Sequence, residues 1–125
     1  REKLYEQIGL ASRDDVVRFT QNYFLQNDAN NLVAMARTWM SADISANSRY
    51  NGDLEAALAA TTCRAIVMPG DTDQYFRVLD NAYEVEHMPD AELRPISSKW
   101  GHGAGFGIDA SDNAFIDAAL HELLA

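Results

Sequence analysis

One cysteine, three prolines and no long apolar run define much of what this chain of 125 residues is not. Cys63 stands alone, so no internal disulfide framework can hold the fold, and a lone thiol fits a reducing compartment; the cytoplasm is the default location. No apolar stretch approaches the roughly 20 residues that span a bilayer, and no basic-then-apolar leader opens the sequence, so no membrane partner is expected. Positive charge is scarce, with 10 Lys+Arg against 19 Asp+Glu and a net charge of −9. Phosphate backbones need a positive surface to release counterions, which argues against nucleic acid as a partner. Repeats and low-complexity tracts are absent as well. What remains is an ordinary globular composition, 47% hydrophobic and 23% charged, at a length that suits one domain. The opening at Arg1 rather than Met suggests a fragment or a processed product.

Helical periodicity dominates the first fifty residues. Ser12 can cap a helix whose first turn carries Asp14 and Asp15, near the positive end of the helix dipole. Val16, Phe19, Tyr23 and Phe24 then mark an apolar stripe. Asp28 is a second cap, ahead of Leu32, Met35, Ala36 and Trp39, with Met35 and Trp39 read as packing residues. Residues 43–52, rich in Asn, Ser and Gly, read as a loop, and a short helix runs from Asp53 through Ala60.

The pattern changes at Cys63. Residues 63–68 hold a continuous apolar run closed by Pro69-Gly70, which predicts a strand at 64–68 buried on both faces of a parallel sheet, with Cys63 a packed thiol at its start. Phe76, Leu79 and Tyr83 predict an amphipathic helix. Residues 91–97 alternate, and Pro95 within them predicts a strand at a sheet edge. After a glycine-rich loop, Ser111 or Asp112 opens a last helix with Phe115, Ile116, Ala119, Leu120, Leu123 and Leu124 inward. Helix, strand, helix, strand, helix is a βαβ unit with flanking helices, and a full connecting helix makes its strands parallel. Two strands make a poor sheet alone, so the pattern reads as part of a larger α/β fold.

The chemistry lies in the two loops that follow these strands, Pro69-Gly70-Asp71-Thr72-Asp73 and Trp100-Gly101-His102-Gly103. In open α/β sheets, ligands sit beyond the carboxyl ends of the strands. Neighbouring strands lie about 4.8 Å apart, so their loops emerge side by side and an acid can meet His102. A carboxylate on one imidazole nitrogen fixes the tautomer and leaves the other nitrogen as a general base. Asp71 and Asp73 compete for that role, and Asp73 is favoured because Gly70 lets the chain turn back. Both could instead be solvated acids capping the next helix, and His102 an incidental residue of a mobile loop. The third triad member, a serine on a Gly-x-Ser-x-Gly elbow, occurs nowhere in the chain. Ser97 and Ser98 lie just before the histidine loop and could orient it. His87 and His121 have no metal-ligand spacing, so no metal site is expected. The Gly-rich run misses the Gly-x-Gly-x-x-Gly spacing of dinucleotide sites.

Asp28-Ala29-Asn30-Asn31-Leu32, Trp39 and Asp43, followed by Ile66-Val67-Met68-Pro69-Gly70-Asp71-Thr72-Asp73 and Ser98-Lys99-Trp100-Gly101-His102, resemble the homoserine O-acetyltransferase-like branch of the α/β-hydrolases. The resemblance covers nearly the whole chain. It implies that residues 1–50 are a helical lid and residues 51–125 the C-terminal part of the hydrolase core. Asp73 would be the triad acid, His102 the base and Gly103 substrate-binding; Trp100 reads as a packing residue that, beside His102, could also line the acyl pocket and bind substrate. The nucleophile and oxyanion hole would belong to an N-terminal half that is absent. No bound cofactor is implied; acetyl-CoA or another acyl donor would be a substrate, an alcohol such as homoserine or water the acceptor. The lid helices could form a homodimer surface. One departure is Gly103, where the acetyltransferases usually carry an acid suited to an ammonium group; a neutral alcohol or simple ester hydrolysis then competes with homoserine. A non-catalytic assembly module on the same scaffold is the alternative from another class, and a cation site at Asp71 and Asp73 a third.

Overall fold

The computed structural model describes residues 3–125. The chain divides into two compact units, Arg1–Ala42 and Asp43–Ala125.

The first unit holds three helices, α1 (Leu4–Gln7), α2 (Arg13–Leu25) and α3 (Ala29–Ser41). Both expected caps are in place. Ser12 Oγ accepts from the Asp15 N–H at 3.1 Å and donates to the Asp15 carboxylate at 2.7 Å. Asp28 accepts from the N–H groups of Asn30 and Asn31 at 2.9 and 3.2 Å. These bonds satisfy donors that every helix start leaves open. The apolar stripes do not become a core, however. Phe19, Tyr23, Phe24, Met35 and Trp39 are all exposed, and neither α2 nor α3 buries a residue. Periodicity identifies the helix correctly, but burial needs an opposing layer that this unit alone does not supply.

The second unit opens with a tight turn in which Asp43 Oδ1 accepts from both the backbone N–H and the hydroxyl of Ser45. Then come α4 (Leu54–Ala59), β1 (Ala65–Val67), α5 (Val78–Glu86), β2 (Ala91–Leu93) and α6 (Ala110–Leu124). The strands are parallel, in the register Ala65↔Ala91, Ile66↔Glu92 and Val67↔Leu93. Pairing continues past the strands through a bridge between Gly70 and Ile96. Arg94 and Ile96 donate to the carbonyls of Val67 and Pro69, so the missing N–H of Pro95, between them, faces away from β1.

Several expectations change here. Both strands are shorter than their sequence patterns, and β1 is half-buried rather than enclosed on both faces. Cys63 lies before β1 and is exposed, not packed. The cap of α6 is Asp109, which accepts from the Ser111 N–H at 2.9 Å, rather than Ser111 or Asp112. That start sets the phase of α6. Asp112 and Ala119 are buried and Ile116 and Leu123 half-buried, while Phe115, Leu120 and Leu124 stay exposed. Ile96 and Ala104 complete a small core beside Ala57, Leu58 and Ala119. An ionic cluster ties the strands to α6: Arg94 binds Glu92 and Glu122, and Arg64 binds Glu122.

Candidate active site

Parallel pairing sends the chain out of β1 and β2 in the same direction, so the two following segments lie side by side. The first makes a turn in which the Asp73 N–H donates to the Gly70 carbonyl at 3.0 Å. The second forms a 3₁₀ turn over Gly101–Gly103, with Gly101 at φ +54°. The two backbones approach closely: a Cβ on Gly70 would stand 2.6 Å from the Gly101 carbonyl oxygen. Glycine at position 70 is therefore required by the neighbouring loop, not by a left-handed turn.

This approach brings Asp73 and His102 together. His102 Nδ1 lies 3.1 Å from Asp73 Oδ2. The other carboxylate oxygen accepts from the Tyr75 N–H at 2.7 Å. Burial pushes the Asp73 carboxyl up, but the Tyr75 N–H, the His102 ring and the Phe76 N–H outweigh it and hold the acid below the ordinary carboxylate range. Asp73 is thus an ionised acceptor at neutral pH, and its partner nitrogen must carry the proton. Nδ1 is engaged, so in the neutral ring Nε2 holds the free lone pair. The Asp73 side chain is 6% exposed and that of His102 45%, which encloses the acid and leaves the imidazole reachable.

Aromatic rings surround the histidine. Tyr75, Phe76 and Phe106 have centroids 5.0, 5.4 and 5.9 Å from the imidazole. An open cleft of about 460 Å³ runs beside it, lined by Met68, Asp73, Phe76, His102 and Ile116 among others. Sequence periodicity reads Phe76 as part of a helix stripe, but it precedes α5 and faces this cleft. The closeness of Tyr75-Phe76 to Asp73, and of Phe106 to His102, is the signal that marks them.

The other candidates have different places. Asp71 Oδ1 accepts from the Ser98 N–H at 3.0 Å, so it binds the histidine segment's backbone and not its ring. Ser98, buried, hydrogen-bonds buried Asp112 at 2.5 Å, a partner that sequence spacing does not reveal. Trp100 precedes the 3₁₀ turn and Gly103 is its last residue, but neither lines the cleft beside His102. A Cβ on Gly103 would meet Ile108, Trp100 and Phe106 at ordinary contact distance. His87 ends α5 against the Tyr83 carbonyl and Glu55, and His121 lies near Asp117 on the exposed face of α6. Among the described residues, no group of three or more His, Cys, Asp or Glu side chains is placed to hold a metal ion. Among them, too, no helix is long and apolar enough to cross a membrane.

Known proteins similar to this chain are ester hydrolases. An ethyl acetate hydrolase of Pseudomonas veronii is 40% identical over 107 residues, which are 86% of this chain and 30% of that protein. An acetylester hydrolase of Corynebacterium glutamicum superposes with a TM-score of 0.87 at 34% identity, over 95% of this chain and 34% of that one. The acetyl esterase MekB gives 0.86 at 38% identity, over 96% and 34% respectively. No family model matches the chain. The chain is thus similar to ester hydrolases and spans about a third of their length, consistent with part of a hydrolase fold with parallel strands. These relatives support the hydrolase superfamily, and they do not single out its homoserine O-acetyltransferase-like branch.

Proposed function

We propose that this chain supplies the acid and base of a serine-type ester hydrolase acting on esters of short acids such as acetate. The observation that carries the reading is the 3.1 Å contact between His102 Nδ1 and buried Asp73, which leaves Nε2 on the accessible side. Nε2 takes the proton of a serine hydroxyl contributed by the part of the hydrolase outside these residues. The serine oxygen bonds to the acyl carbon, and the ester C–O bond breaks as the alcohol leaves with that proton. Water then repeats the sequence on the acyl-serine, releasing the acid and restoring the serine. Asp73 stays ionised throughout and stabilises the imidazolium that forms in each half. Two things favour water over homoserine as acceptor. The relatives are named as ester hydrolases, and the residue after His102 is Gly103, with no charge for an ammonium group.

The test uses the complete hydrolase and a fluorophosphonate probe, read by intact mass. One adduct is expected, lost on His102→Ala, with no adduct on the 125-residue chain alone. Asp73→Asn should lower kcat by roughly 10⁴-fold, as expected when the histidine is held in the wrong tautomer. Labelling of the His102→Ala protein at the original rate would overturn the assignment.

A further inference from the structure

One residue beside the site hydrogen-bonds to three separate parts of the chain. Ser98 uses every polar atom it has. Its N–H donates to Asp71 Oδ1 at 3.0 Å and its carbonyl accepts from Thr72 Oγ1 at 2.7 Å. Its hydroxyl donates to Asp112 Oδ2 at 2.5 Å and accepts from the Trp100 N–H at 3.1 Å. Ser98 and Asp112 are 7% and 4% exposed, so water does not substitute readily for the bond between them.

The four bonds join three elements at telling positions. Asp71 and Thr72 immediately precede Asp73, Trp100 stands two residues before His102, and Asp112 lies in the first turn of α6. A hydroxyl has one proton and two lone pairs. With Asp112 taking the proton, a lone pair remains for the Trp100 N–H. Without Asp112, the buried proton must find another acceptor, and the rotor no longer has a defined direction for Trp100. The 3₁₀ turn that carries His102 then loses the fixed acceptor for the Trp100 N–H at its start.

We propose that Ser98 and Asp112 are positioning residues that set the His102 ring against Asp73, with Asp112 acting through the Ser98 hydroxyl. The consequence for turnover rests on the ester-hydrolase reading above; the geometric claim does not.

The test is imidazole nitrogen NMR on the full 125-residue chain, with His87→Gln and His121→Gln used for assignment. The unsubstituted chain should show His102 as the Nδ1–H tautomer, with that proton shifted downfield by its bond to Asp73. Ser98→Ala and Asp112→Ala should lose the downfield proton and mix the tautomers while far-UV circular dichroism stays unchanged. Asp112→Asn, whose amide oxygen can still accept from Ser98, should keep the signal. A retained Nδ1–H resonance in Ser98→Ala overturns the proposal. Should Asp112→Ala unfold, Ser98→Ala decides alone; if that chain loses its fold together with the signal, the contact is structural and the positioning role fails. A missing resonance in the unsubstituted chain overturns it too. Absence of esterase turnover in the complete hydrolase would remove the function and leave this result standing. In that complete protein, Ser98→Ala should lower kcat by about 10²-fold with KM little changed, the effect of a misplacement near 1 Å.

Discussion

Replacing Gly70 by alanine puts the close approach of the two loops to a direct test. The new Cβ would lie 2.6 Å from the Gly101 carbonyl oxygen, a distance at which backbone must move, and 3.4 Å from the Ala104 Cβ, which it need not displace. The obstructing atom belongs to the 3₁₀ turn that carries His102, so relief comes from separating that turn from the acid loop. Ordinary van der Waals contact would need the oxygen about 0.5–1 Å further away, within the range of overpacking that costs roughly 1–3 kcal/mol. Alanine also lowers the entropy of the unfolded chain, a gain of about 0.4–1 kcal/mol that partly offsets the strain. The net expectation is a loss of about 1–2 kcal/mol, or roughly 4–8 °C in Tm for a chain of 125 residues. Gly105→Ala is the matched control, because a Cβ there meets nothing within 4 Å and the backbone is not left-handed. It should be neutral or stabilising by up to about 1 kcal/mol. Both variants are compared by thermal and urea unfolding of the same chain. A Gly70→Ala protein as stable as Gly105→Ala would refute the close approach, and with it the account of how His102 reaches Asp73.

Three further expectations can be checked with modest effort. Asp28→Ala removes the acceptor for the Asn30 and Asn31 N–H groups and should cost about 0.5–2 kcal/mol of helix stability, read as lost ellipticity at 222 nm; unchanged ellipticity would remove the cap from the account. Asp73, and Glu92 and Glu122 through their hydrogen bonds to Arg94, are all held below the ordinary carboxylate range. Groups lowered on folding stabilise above the unfolded value, near pH 4, and lose that contribution as pH falls through their native values. The urea midpoint should therefore be level from pH 7 to about 5 and fall below that, and a midpoint flat down to pH 3 would contradict these pairings. In the complete hydrolase, Phe76→Ala opens the cleft wall beside His102 and should raise the kcat/KM ratio of butyrate to acetate esters by roughly 10-fold or more, consistent with about 1–3 kcal/mol per methylene group; an unchanged ratio would take Phe76 out of the pocket.

How much of the fold is legible in the residues divides along the range of the forces involved. Caps and turns depend on a few adjacent residues, so Ser12 and Asp28 are legible as acceptors from the local pattern, and each bonds an N–H of the first helical turn. Asp53, at the start of the short helix α4, does the same for Ala56. The parallel pairing is legible too, because the connecting helix between β1 and β2 leaves no antiparallel solution. Burial is not, since it depends on which layer lies opposite. The stripe of α2 and the thiol of Cys63 are apolar by sequence yet exposed in the fold. The cap of α6 shows how a small local error spreads. Starting the helix at Ser111 or Asp112 would spend Asp112 on the helix's own N–H groups. Starting it from Asp109 frees that carboxylate to face Ser98.

The meeting of acid and base sits between these cases. Element order predicts that the loops are neighbours, which is enough to pair an acid with His102. It does not choose between Asp71 and Asp73, because both leave the same turn. That choice is made by two backbone contacts, the Asp73 N–H on the Gly70 carbonyl and the Ser98 N–H on Asp71. The first curls the chain so that Asp73 points across to the imidazole, and the second commits Asp71 to the opposite backbone. Removing that commitment by Asp71→Ala should therefore loosen the His102 segment without supplying a rival acid, whereas Asp73→Ala should leave the ring with no carboxylate at all. An Asp71 that rescued the histidine's tautomer in the Asp73→Ala chain would mean the two acids are interchangeable, and that the loop geometry, not the residue, carries the site.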